Sequence, residues 1–305
     1  MPNPFQPLFA GPNAIFHEPD SLYNNDTIPQ LNLLRPYPQF DGEFDGLPLL
    51  TATSRYNSLQ LRFAKAAGKY LTFQGNYTLS RYVDDSSVGA NDWLGYYSFG
   101  SPQVIDRLRG EYGISANDAP HHFTGVVEIA VPFGRGLRFG NKVNRIVDGV
   151  LGRWSVSSTF TFQSGQPIAV GMSLARLADG TQRPNVTCAA PGTGISYHQA
   201  AATGDPFISA TCFADPGDQQ LGNAPRYFEN LRLDSIRNVD AAMRKEFAIT
   251  EKARLQIRFE SFNLLNRTRF GIPVNAYGDS TFGQVTSLAP GASPRRSQIV
   301  VRFEF

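Results

Sequence analysis

The chain has 305 residues, with 28 Lys and Arg against 26 Asp and Glu, a formal charge of +2. That balance leaves no field strong enough to select a polyanion, so nucleic acid is not expected as a partner. Charged residues make up only 18% of the chain, whereas 23 Phe, 12 Tyr, 28 Gly and 21 Pro enrich it in the residues of strands and turns.

No run of 18 apolar residues occurs, so no transmembrane helix is expected. The opening Met1-Pro2-Asn3-Pro4-Phe5 has no basic segment leading into an apolar run and does not read as a signal peptide. For a protein working outside the cytoplasm, the chain is then expected to be a portion of a longer one or to have its true start upstream. Residues 1–50 are rich in Pro and hold no sustained period. They read as irregular loop or linker with at most one strand.

Residues 51–305 read as strands with a two-residue period. The first, about 55–63, sets Asn57, Leu59, Leu61 and Phe63 against Tyr56, Ser58, Gln60 and Arg62. The second, about 69–80, sets Leu71, Phe73, Gly75, Tyr77 and Leu79 against Thr72, Gln74, Asn76, Thr78 and Ser80. A third spans about 121–133, with Phe123, Gly125, Val127 and Ile129 on its apolar side. The fourth, about 151–163, carries Trp154, Val156, Phe160 and Phe162. Strands at about 232–248 and 253–264 follow, joined by a tight turn at Thr250-Glu251-Lys252. Lys245 interrupts the apolar row of the first, and a phase slip near Ser261 in the second predicts a bulge. The last strand sets Ile299, Val301, Phe303 and Phe305 against Gln298, Arg302 and Glu304. No 3.6-residue period holds over two turns, so the fold class is all-β.

Alternation alone does not separate a sandwich from a membrane barrel. Three features favour an antiparallel transmembrane β-barrel. The strands are about 9–13 residues long, as a tilted membrane strand requires. Long connections at about 81–120, 164–230 and 265–295 alternate with shorter ones, as extracellular loops alternate with periplasmic turns. The non-apolar faces carry Gln, Arg, Glu, Asn and Thr in mid-strand, as a wet lumen would. Seven strands are an odd number, so either residues 1–50 supply an eighth or the chain is the C-terminal portion of a larger cylinder; the portion is the favoured reading. The expected location is the bacterial outer membrane, with lipid and the barrel-assembly machinery as partners. The final strand, Ile299, Val301, Phe303 and Phe305, would be the assembly signal.

Four separated blocks resemble one family. Tyr56–Asp85 (YNSLQLRFAKAAGKYLTFQGNYTLSRYVDD), His121–Phe139 (HHFTGVVEIAVPFGRGLRF), Gly152–Pro167 (GRWSVSSTFTFQSGQP) and 255–273 (LQIRFESFNLLNRTRFGIP) are similar, in order, to Oar-like TonB-dependent receptors. The resemblance covers about residues 50–305. It implies a large barrel filled by a plug domain and taking up an extracellular ligand with energy passed through TonB. No residues here match a plug or a TonB box. The alternative is a small non-transporting barrel acting as adhesin or structural wall, and a secreted soluble β-sandwich is a third reading.

Other motifs carry little. Cys188 and Cys212 share one polar stretch and are expected to form a loop-closing disulfide; two unrelated thiols are the other reading. His121-His122 point to opposite faces of a strand and lack a third ligand, so they read as rim residues. Gly134, Gly136 and Gly140 miss the nucleotide-binding spacing and no helix is expected after them; they read as a basic turn. Asp84-Asp85 and Asp205, Asp215 and Asp218 lack the spacing of a calcium loop and read as solvated loop charge. The sequons at Asn25, Asn76, Asn185 and Asn266 are chance matches in a bacterial protein, and Trp93-Leu94-Gly95-Tyr96-Tyr97 is an outward loop that would touch a ligand. Neither an enzymatic site nor a cofactor is expected.

Overall fold

The alternating runs become one antiparallel sheet. In the computed structural model, which describes residues 1–6, 24–34, 37–38, 52–85, 102–103, 109–177, 181–250 and 253–305, seven long strands follow in chain order. They are β1 (Ser54–Ala67), β2 (Leu71–Asp84), β3 (His121–Ala130), β4 (Trp154–Gln163), β5 (Ile236–Ala248), β6 (Arg254–Phe262) and β7 (Arg296–Glu304). Each pairs with the next, and a two-residue strand, Gly113–Ile114, adds to the end of β2. Within the described residues β1 and β7 do not pair with each other, so the sheet has two open edges. At residues 1–6 and 24–34, where the sequence allows one strand, the described chain holds an isolated bridge from Pro2 to Thr27 and a single turn of helix, α1 (Gln30–Leu33).

Register decides which side chains share a face. Leu71 lies opposite Ile129 and Ile129 opposite Val156; Tyr77 lies opposite Phe123 and Phe123 opposite Phe162. The Leu71–Leu79 row and the Trp154–Phe162 row therefore lie side by side on one face and do not meet across a core. The same face continues through Met243, Phe259 and Ile299, and through Leu59, Leu61 and Phe63 at the other edge. The opposite face carries Thr72, Gln74, Asn76 and Thr78, then Thr124 and Glu128, then Ser155, Ser157, Thr159 and Thr161.

Among the described residues, none packs over most of the apolar face. Leu61, Phe63, Leu79, Ile129, Met243, Phe259 and Ile299 are all exposed. At about 25 cal/mol per Å² of apolar surface, such half-exposed side chains held against water would each cost about 1–2 kcal/mol. Contact of this face with hydrocarbon would remove that cost. Gly75 and Gly125 sit opposite one another in its middle. The Phe123 ring lies over both, 3.2 Å from where either Cβ would stand, so the glycines make room for an aromatic laid flat along the wall.

Three expectations need correction. The slip expected near Ser261 lies two residues on: pairing with β7 runs in register to Phe262, whereas pairing with β5 ends at Ala241–Ser261 and the Leu264 amide then donates to the Val239 carbonyl one residue out of step. The phase changes because the strand stops at Phe262, and Asn263 turns the chain away in the left-handed region at φ 50°. Lys245 does not stand in the apolar face as an exposed break. It is buried under α2 (Arg145–Leu151), a helix within a connection expected to be only a turn. Asp84 and Asp85 are not solvated: both are buried, Asp84 against Arg226 and Asp85 accepting from the Thr53 amide. The helices α2 and α3 (Tyr197–Thr203) have seven residues each, too short to show a period in sequence; Asn144 and Ser196 cap their N-termini.

Connections alternate in length along the sheet. Residues 68–70, 131–153 and 249–253 join strands at one end, and 85–120, 164–235 and 263–295 at the other. Gly68, at φ +58°, makes the first of the short turns.

Candidate functional site

The long connections fold into a cap with a core of its own. Ile168, Val170, Ile208, Phe213, Ala224, Phe228 and Leu231 come from 164–235, and Phe282 joins them from 263–295. Phe213 is the hub, with Phe228 and Phe282 edge-on at 5.9 and 5.6 Å. Short ladders fix the backbone: Asn185–Val186 pairs with Phe213–Ala214, and Gly171–Met172 runs parallel to Ala276–Tyr277. Cys188 and Cys212 are bonded just beyond the first ladder, with Cα atoms 5.1 Å apart.

Four Arg–carboxylate pairs join the connections to the strand ends and to one another. Arg226 holds Asp84 at the end of β2, and Arg183 holds Glu111 at 2.6 Å, with 5% and 7% of the two side chains exposed. Arg232 reaches Asp118 at 2.8 Å and Arg267 reaches Asp234 at 3.0 Å. Buried pairs of this sort are stable only when the remaining donors and acceptors are also met. Gln103 supplies one such bond, its backbone N–H donating to Glu111, and its side chain ties the backbone around the pair: the amide oxygen accepts from the Arg183 and Gly222 backbone N–H groups while the nitrogen donates to the Gly222 carbonyl. Gln182, fully buried, donates to the carbonyls of Gly217 and Gln220 and accepts from the Arg176 amide.

Gly222 admits this packing because it has no Cβ; one would sit 1.9 Å from the Arg183 carbonyl oxygen. At the surface of the cap, Asp215 is held below its ordinary carboxylate range by the Gly217 backbone N–H and then by Arg176. Asp279 is lowered likewise by the backbone N–H and hydroxyl of Thr281.

A cleft of about 1170 Å³ opens beside these pairs. Tyr112, Arg183, Leu221, Arg226, Phe228 and Glu229 are among its walls, and an exposed Arg81–Glu229 pair at 2.7 Å lies on its rim. Tyr112 and Leu221 are exposed. The cleft therefore offers an aromatic, an aliphatic surface and guanidinium groups already matched by carboxylates, which suits a polar ligand of little net charge better than a bare anion.

The sequence-predicted residues fall in different places. Cys188 and Cys212 lie in the cap, with Cys188 on the cleft wall. Ile299, Val301 and Phe303 lie on the apolar face, opposite Phe259, Ile257 and Leu255, and the Phe305 ring is 5.8 Å from that of Phe303. His121 and His122 point to opposite faces, and the Tyr77 hydroxyl meets His121 Nδ1 at 2.8 Å. Asp215 and Asp218 both pair with Arg176. No group of three His, Cys, Asp or Glu side chains converges among the described residues. Trp93-Leu94-Gly95-Tyr96-Tyr97 lies outside the described residues.

Sequence reasoning missed Gln103, Glu111, Arg183 and Arg226. The ion pairs join residues 72 and 142 apart and the Gln103 side chain reaches Gly222 across 119, so no local spacing marks these contacts.

No curated protein matches the chain, and no solved structure does. A family model described as an outer membrane beta barrel domain matches residues 3–298. With an apolar face turned outward, a polar face behind it and every long connection at one end, the chain belongs to the outer membrane β-barrel domain family and is a protein of the bacterial outer membrane.

Proposed function

We propose that the chain is wall and outer cap of a TonB-dependent transporter that takes up a ligand across the outer membrane. The observation that carries this reading is the cap. The 164–235 connection shares a core with 263–295 and walls a cleft with the described residues of 85–120, all on one rim, which suits a receptor surface. The likeness of four ordered blocks to Oar-like receptors supports it, and so do the two open edges of the sheet, which fit a wall that continues into a wider cylinder. On this reading the cap is extracellular and the short connections face the periplasm. A plug domain, TonB and the barrel-assembly machinery are partners of the complete transporter, and no catalytic step is involved.

Uptake by cells with and without the gene tests the proposal, using a panel of labelled neutral oligosaccharides, peptides and ferric siderophores. Accumulation of at least one compound should disappear on deletion and on addition of a protonophore. Unchanged accumulation across the panel would overturn transport. Surface binding that survives the protonophore and leads to no accumulation would favour the adhesin reading instead.

A further inference from the structure

The connection 131–153 joins β3 to β4 at the short-turn end and is unlike its neighbours there. It contains five cations, Arg135, Arg138, Lys142, Arg145 and Arg153, against one carboxylate, Asp148. All five cations are exposed. The same stretch exposes large apolar side chains: Ile146 at 78%, Val150 at 61%, Leu151 at 52% and Phe139 at 55%.

Where this element sits gives the pattern its meaning. The Trp154 indole N–H donates to the Val150 carbonyl at 2.9 Å, and the Lys245 ammonium donates to the carbonyls of Asp148 and Gly152. Lys245 and Trp154 stand opposite each other on the apolar face of the sheet, in line with Ile257 and Val301. The Lys245 ammonium also lies 5.1 Å from the Phe247 ring centroid. The C-terminal half of α2 is thus laid on the outside of the wall near its end, and Lys245 meets the Gly152 carbonyl at the helix C-cap and adds a second donor to the Asp148 carbonyl, which already accepts the Gly152 N–H.

An element on the outer surface of a membrane wall, near its rim, meets the layer where hydrocarbon gives way to headgroups. Its exposed apolar side chains continue the hydrocarbon-facing surface, and its Arg and Lys side chains reach toward phosphate. We propose that α2 and the basic connection around it form a collar that binds the glycerophospholipid headgroups of the periplasmic leaflet. The leaflet rests on the orientation given under Proposed function; the interfacial position rests on the geometry alone.

Site-specific photocrosslinking in cells producing the full chain tests this. A benzophenone-bearing residue is placed at Ile146, at Ile129 on the apolar face and at Ser157 on the polar face, with heat-modifiable migration confirming assembly of each. Irradiation followed by mass spectrometry should give phosphatidylethanolamine adducts at Ile146 and Ile129 and none at Ser157. Combining Arg138→Gln, Lys142→Gln and Arg145→Gln should lower the Ile146 adduct at least fivefold and leave that at Ile129 unchanged. A lipid adduct at Ile129 with only protein, lipopolysaccharide or nothing at Ile146 overturns the collar. An Ile146 adduct indifferent to the triple substitution overturns the role of the cations. Absence of lipid at both positions overturns the outward-facing wall itself.

Discussion

Glu111 and Arg183 meet where water is almost excluded, and the charge on each is tolerable only because the other is there. Glu111 also accepts the Gln103 amide at 3.0 Å, so one carboxylate neutralises a guanidinium and anchors a backbone loop. Glu111→Gln keeps an acceptor and removes the charge. It should cost the cap about 3–5 kcal/mol, the usual consequence of leaving one member of a buried pair alone. Limited proteolysis of the 164–235 connection in assembled protein checks this. Accelerated cleavage is expected, with heat-modifiable migration of the wall unchanged.

Among the elements, the strands were the part most open to reading in advance. Alternation placed all seven, because a half-exposed strand writes its two environments into successive residues. Leu71, Phe73, Gly75, Tyr77 and Leu79 declare their side unaided. The same rule carries a test. Val156 lies on the apolar face between Ile129 and Met243, whereas its neighbour Ser157 lies on the polar face opposite Glu128. Val156→Arg should destabilise the folded wall by about 1–2 kcal/mol, between the interfacial and midplane costs of a cation turned to lipid. Ser157→Arg should be near neutral. Urea titrations of protein assembled in lipid vesicles would separate the two, and equal midpoints would contradict the facing. Helices of seven residues, a lysine hidden under one of them and ion pairs between distant loops were not legible. Each depends on which segments meet in space, and Arg226 and Asp84 are neighbours only because the 164–235 connection folds back to the end of β2.

For the whole molecule, the decisive fact is that wall and cap share no core. The wall's apolar surface faces outward, and the two buried apolar clusters lie within the long connections, touching the sheet only at Ile114 of the two-residue strand on the end of β2. Two units stabilised by different media need not unfold together. The Cys188–Cys212 bond, closing a separation of 24 residues, belongs to the cap. Replacing both by Ser should lower cap stability by about 3 kcal/mol through the entropy of the opened loop. The wall's unfolding midpoint in vesicles should not move. A common shift of both transitions, followed by hydrogen exchange in the cap and by circular dichroism in the wall, would refute their independence.

The alternation of short and long connections reaches further than shape. Each long segment leaves one strand and returns to its hydrogen-bonded neighbour, about 4.8 Å away. The distance its ends must bridge is the same whether it holds ten residues or seventy. Closure entropy grows only logarithmically with length, so added residues weigh lightly on the strands beneath. A lineage can lengthen, shorten or exchange the whole outer surface while the pairing register below stays as it was. Selection on what is captured and selection on insertion into lipid then act on separate stretches of the gene.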